Sequence, residues 1–222
     1  MNRDQILTRP AVTGIEVNKV LKNTYALLSL TLLFSALTAG LSVAFNWPHP
    51  GMLMTLVGYF GLLFLTTKFR NSSLGLVFIF ALTGFMGLTL GPIVGYYVTA
   101  ISNGPELVMM ALGGTGVIFL GLSGYTLTTR KDFSFLGGFL FAGILVAFLA
   151  GIGAVLFSVP ALSLAVSVMF MLLMSGMILY QTSAIIHGGE TNYIMATITL
   201  YVSIYNIFLS LLHLLGIFGG DD

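Results

Sequence analysis

Every lysine and arginine of this chain falls in an alternate gap between long apolar runs, and that distribution constrains the fold more than any motif. Arg3, Arg9, Lys19 and Lys22 precede the first run, Lys68 and Arg70 follow the second, and Arg130 and Lys131 follow the fourth. The gaps after the first, third and fifth runs hold none. Basic residues flanking membrane helices stay on the cytoplasmic side, so the pattern predicts an amino terminus inside and, after seven crossings, a carboxyl terminus outside. A crossing needs roughly 20 apolar residues. The runs expected to cross are Thr24–Phe45, Gly51–Thr67, Leu74–Val98, Leu107–Thr128, Phe135–Phe157, Ala161–Ile186 and Tyr193–Phe218. They make residues 23–222 a seven-span, all-α membrane domain and residues 1–22 a cytoplasmic tail.

Composition excludes the main alternatives. With 57% hydrophobic and 7% charged residues and a mean hydropathy of +1.04, the chain has too little polar surface to cover a soluble globule. The first run is too long for the core of a cleaved leader, so it is expected to stay as an anchor. No cysteine is present, which removes disulfides, thiolate metal sites and a catalytic thiol. The few basic residues are dispersed over three segments, unlike the clustered stripe of a nucleic-acid binder. No glycine loop built to cradle phosphate precedes a lysine, and no cofactor is expected.

In the tail, Thr13-Gly14-Ile15-Glu16 has capping-box spacing. It predicts a short helix that is either a cytoplasmic lead-in to the first span, the reading favoured, or a recognition element, with Ile15, Val20 and Leu21 able to lie along the inner membrane surface and Lys19 and Lys22 at the headgroups. Within the spans, Gly87, Gly91 and Gly95 recur at every fourth residue, and Gly143, Ala147 and Gly151 repeat that spacing. Such small faces let helix backbones approach closely where lipid offers no hydrophobic drive. Pro92 falls inside the third span, where neighbouring helices can satisfy the carbonyl it frees.

The last span carries a polar stripe, Thr199, Ser203, Asn206, Ser210 and His213, at helical spacing. Amides and imidazoles are costly against hydrocarbon, so the stripe is expected to face inward. There it either hydrogen-bonds neighbouring helices, the reading favoured here, or walls a polar cavity or ion path. Gly121-Leu122-Ser123-Gly124 and His213-Leu214-Leu215-Gly216 are similar to the serine and histidine motifs of rhomboid intramembrane proteases. Depth separates them: Ser123 lies about 8 Å from the inner end of its span and His213 about 30 Å, at 1.5 Å per residue. A serine–histidine dyad needs about 3 Å. His49, His187 and His213 are likewise spread too widely in depth to share a metal.

The stretch Ile185-Ile186-His187-Gly188-Gly189-Glu190-Thr191-Asn192-Tyr193-Ile194, continuing through Leu200-Tyr201-Val202-Ser203-Ile204-Tyr205-Asn206-Ile207-Phe208, resembles the seven-span Bax inhibitor motif family. Within it the chain is similar to the bacterial YccA-type modulators of the membrane protease FtsH. Thr128-Thr129-Arg130-Lys131-Asp132, Asn23-Thr24-Tyr25 and Thr83-Gly84-Phe85-Met86-Gly87 with Leu90-Gly91-Pro92-Ile93 carry the same resemblance, from about Asn18 to Ile217. It implies six helices around a central seventh, the inner membrane of a Gram-negative bacterium, and a regulator without enzymatic activity. The implied partner is FtsH, restrained in its degradation of membrane proteins and engaging the tail near Arg3, Arg9, Glu16 and Lys19.

The resemblance also implies an alternative, a Ca²⁺ or H⁺ leak. Family members that leak calcium with pH dependence carry aspartates on spans six and seven, at the positions of Gln181 and Ser203. An amide and a hydroxyl do not share a proton or hold Ca²⁺ as two carboxylates would. Asn206, His187 and Glu190 are the remaining polar groups expected near such a bundle site.

Overall fold

The computed structural model describes residues 14–219, and within them every regular element is helical. The helices are α1 (Gly14–Ala44), α2 (Met52–Lys68), α3 (Ser73–Ala100), α4 (Gly104–Thr129), α5 (Gly137–Leu156, entered by a 3₁₀ turn Ser134–Leu136), α6 (Pro160–Ile186) and α7 (Tyr193–Gly219). Six are long and apolar enough to cross a membrane, and α2, with 17 residues, is shorter. At 1.5 Å per residue it rises about 26 Å against a hydrocarbon core of about 30 Å.

The described amino-terminal residues lead directly into the first span. From Gly14 the helix runs without a break into the first span, because no glycine or proline between Ile15 and Thr24 ends the i→i−4 ladder. Glu16 and Lys19 lie on its exposed first turns. Arg3, Arg9 and the Thr13 cap lie outside the described residues.

α7 packs against α6, α4, α1 and α3, while α2 leans chiefly on α3 and α5 on α6. The main core joins Leu27 and Leu28 of α1, Ile79 and Leu82 of α3, Ile178 of α6 and Ile207 of α7. The glycine faces lie at these joints. A Cβ on Gly87 would strike Ser35 O and Thr38 Oγ1 of α1, and one on Gly91 would lie 2.8 Å from Ala39 O. A Cβ on Gly143 would meet Leu173 of α6 at 2.6 Å, and Ala147 is fully buried. α3 continues through Pro92.

Small polar groups tie this joint further. Ser42 Oγ donates to Leu88 O at 3.0 Å. Tyr201, buried on α7, donates to Thr83 O of α3 at 3.3 Å and lies 2.6 Å from Ser35 Oγ of α1. One phenol thus joins three helices. Tyr201→Phe is expected to leave Ser35 without that partner and to cost about 1–2 kcal/mol. Thermal unfolding in detergent should show a midpoint a few degrees below wild type, with helix content unchanged.

Candidate functional site

The basic end of the bundle, where α1 begins, is assembled by two side chains from the stretch around residues 183–192. Ser183, buried near the end of α6, accepts from Phe133 N at 2.9 Å and donates to Lys131 O at 3.2 Å. It thereby fixes the α4–α5 connection. Asp132 turns back to accept from Ser134 N at 2.8 Å, and that backbone donor holds its carboxyl below the usual carboxylate range.

Asn192 is the second organiser. Its Oδ1 accepts from Ile194 N and Met195 N, both at 3.0 Å, capping α7 as an Asn N-cap does. Its Nδ2 donates to Asn71 Oδ1 at 2.8 Å and Arg70 O at 3.1 Å, binding the α2–α3 connection to the α6–α7 turn. Glu190 Oε1 accepts from Asn192 N at 2.8 Å. His187 ends α6 with Nδ1 2.9 Å from Ser183 O. Gly188 follows at φ +74°, a left-handed conformation that glycine adopts without strain.

His187 and Glu190 therefore build the turn and stand apart from the other polar candidates. Gln181 and Ser203 are buried on α6 and α7, and no hydrogen bond joins them among the described residues. Ser203 donates to Thr199 O of its own helix at 2.8 Å, and the Gln181 amide nitrogen has no partner. Asn206 Nδ2 donates to Val202 O at 2.8 Å. Asn192→Ala should remove both the cap and the loop tie, lowering the unfolding midpoint by several degrees for about 1–2 kcal/mol. Asn192→Asp, which keeps the capping oxygen, should fall between it and wild type in the same measurement.

Two cavities meet at Asn206. One, of about 700 Å³, is walled by α2, α3, α5, α6 and α7 and is mostly apolar, with Thr55, Tyr59, Thr89, Tyr180, Tyr205 and Asn206 as polar points. Its rim includes Phe60 of α2 and Phe141 and Leu145 of α5, all exposed. Phe60 and Phe148 bridge the two helices edge to face at 5.9 Å. The other, of about 380 Å³, lies toward the opposite end and is lined by Tyr97, Ser167, Asn206, Ser210 and His213.

The polar stripe of α7 thus faces inward, as its spacing predicts. Thr199, Ser203 and Asn206 bond carbonyls of their own helix, and His213 crosses to Ser167 Oγ of α6 at 2.7 Å. The Ser123 hydroxyl, near the basic end, has no partner, so the structure forms no Ser123–His213 dyad. No group of three or more His, Asp or Glu side chains placed to hold a metal occurs among the described residues.

Residues 17–220 match the family described as inhibitor of apoptosis-promoting Bax1. The chain belongs to the Bax inhibitor family. It is 53% identical over 207 residues to the modulator of FtsH protease YccA of Escherichia coli, covering 93% of this chain and 94% of that protein. An uncharacterised protein of Pseudomonas aeruginosa is 56% identical over 93% of both chains. The mouse protein lifeguard 4 is 33% identical over 88% of this chain and 83% of its own. As a Bax inhibitor family member with six long apolar helices, the chain is a multi-pass membrane protein.

The sequence resemblance named this family but left the roles of Ser183 and Asn192 unread. Their partners lie 50 and 121 residues away, a separation that periodicity does not report. The position of Asn192 directly before the last apolar run was the available signal for the cap.

Proposed function

We propose that this chain is a non-enzymatic regulator of the bacterial inner membrane that binds FtsH and restrains its degradation of membrane proteins. The observation that carries this reading is the 53% identity to YccA over nearly the whole of both chains. The chain crosses the membrane seven times, amino terminus in the cytoplasm and carboxyl terminus in the periplasm, as the alternation of basic gaps supports. α7 is the central helix of the bundle, a role supported by its packing on four of the other six.

The mechanism has two parts. The tail bearing Arg3, Arg9, Glu16 and Lys19 is the handle that the protease engages. The bundle resists extraction, because pulling on α1 loads the α1–α3 joint at Gly87 and Gly91 and the Tyr201 bridge to α7. Helices packed this closely separate reluctantly, and the protease stays occupied. In proteoliposomes holding FtsH and a membrane client, adding this chain should slow loss of the client severalfold. Equal rates with and without it would refute the restraint.

A second reading is favoured by one observation, the meeting of two cavities at Asn206. In it, Asn206, which lines both cavities, carries a Ca²⁺ or H⁺ leak; Gln181 and Ser203, at the positions where leaking family members have aspartates, weaken this reading, and His187 and Glu190 build the α6–α7 turn. Flux of either ion in proteoliposomes that Asn206→Leu abolishes would favour the leak, and absence of flux would dismiss it.

A further inference from the structure

Most buried hydroxyls on these helices have a hydrogen-bond partner within the protein. Thr66, Thr83, Thr115, Thr126 and Thr197 each turn Oγ1 onto the carbonyl four residues earlier. That partner is within reach of any serine or threonine inside a helix. Thr24, Ser123 and Thr182 are as deeply buried, at 0%, 3% and 0% exposure, yet their hydroxyls have no partner. The Gln181 amide nitrogen and the Tyr25 hydroxyl are also buried and unpartnered.

These groups lie at one level of the bundle, on helices that pack through α6. Ser123 lies about 9 Å from the end of α4, and Gln181 and Thr182 lie about 6–8 Å from the end of α6, at 1.5 Å per residue. Both ends are the basic end. Thr197, one turn into α7, donates to Thr24 O at 3.2 Å, which sets Thr24 at the same level. α6 packs on both α1 and α4. The Tyr25 ring lies 6.1 Å from Phe119, one turn from Ser123. The remaining unpartnered atom, Asn103 Oδ1, belongs to the opposite end, where the same side chain already donates to Gly219 O.

We infer that the junction of α1, α4 and α6 is a buried hydration site, in which ordered water bridges Thr24, Ser123, Gln181 and Thr182. Leaving so many buried polar groups empty-handed would cost the bundle heavily. The chemistry selects the ligand. The three hydroxyls, with that of Tyr25 beside them, can give and accept a hydrogen bond, and an amide N–H only gives. A cation would face that N–H without a carboxylate among these groups, and an anion would lie buried without a positive partner. Water satisfies both kinds of group at once.

The test uses isosteric variants of the full chain in detergent. If water occupies the junction, Thr24→Val and Thr182→Val each break a bridge and lower the unfolding midpoint by a few degrees. The double variant then falls by less than the sum, since both changes disrupt one network. If the junction is dry, each valine removes an unpartnered buried hydroxyl, and a raised or unchanged midpoint would overturn the proposal. Radiolytic hydroxyl labelling gives an independent reading. Ile178 and Ile185, which flank Gln181 and Thr182 and are 0% and 1% exposed, should label faster than the equally buried Ile79. Equal labelling would also overturn it.

Discussion

Gly87→Ala is expected to destabilise the bundle by about 3 kcal/mol or more, while Gly95→Ala is tolerated. The two glycines lie on one face of α3 and differ in what a methyl would meet. At Gly87 the added carbon runs into Ser35 O and Thr38 Oγ1 of α1, whereas at Gly95 its nearest neighbour is Val43 Cγ2 at 3.8 Å. A backbone carbonyl does not rotate away, so α1 and α3 must separate. That motion also stretches Ser42 to Leu88 O and Ser35 to Tyr201. Overpacking typically costs 1–3 kcal/mol, and contact with backbone puts Gly87 at or above the top of that range. At Gly95 the ordinary preference of a helix for alanine over glycine, about 0.5–1 kcal/mol, should appear instead. Thermal unfolding in detergent should place the Gly87→Ala midpoint roughly 6–12 °C below wild type. Equal midpoints for the two variants would remove the close α1–α3 approach from the account.

That face was legible in the sequence because small residues at every fourth position have one main use on a membrane helix. The helical runs were legible for a similar reason: apolar length and the placing of eight basic residues are local properties. The partners of α7 were not. Its stripe from Thr199 to His213 announces an inward direction, but back-bonding to its own carbonyls absorbs most of it. The residue that ties α7 to two neighbours, Tyr201, lies off that stripe and reads as one aromatic among many. His187, Glu190 and Asn192 drew notice through family resemblance, and only the three-dimensional arrangement separates their turn-building from the buried environment of Gln181.

Deleting residues 2–13 should abolish degradation of this protein by FtsH while leaving membrane insertion intact. The cut leaves the described helix α1 (Gly14–Ala44) untouched. The wider deletion of residues 2–18, which removes most of the 22-residue tail, should have the same effect on turnover. An extraction enzyme needs a polar segment to grip before it meets packed helices, and this stretch of the tail carries Arg3 and Arg9. After inhibition of protein synthesis, wild-type protein should decline and the truncated protein persist severalfold longer. Unchanged turnover of both deletions would take the tail out of the mechanism.

The most direct measurement of the central claim is recovery of the FtsH complex with this chain from gently solubilised bacterial membranes, scored by mass spectrometry against an unrelated seven-span protein. The account predicts FtsH enriched severalfold over that control, with enrichment reduced when residues 2–13 are absent. Recovery no higher than the control, under conditions that retain other partners of the protease, would contradict it.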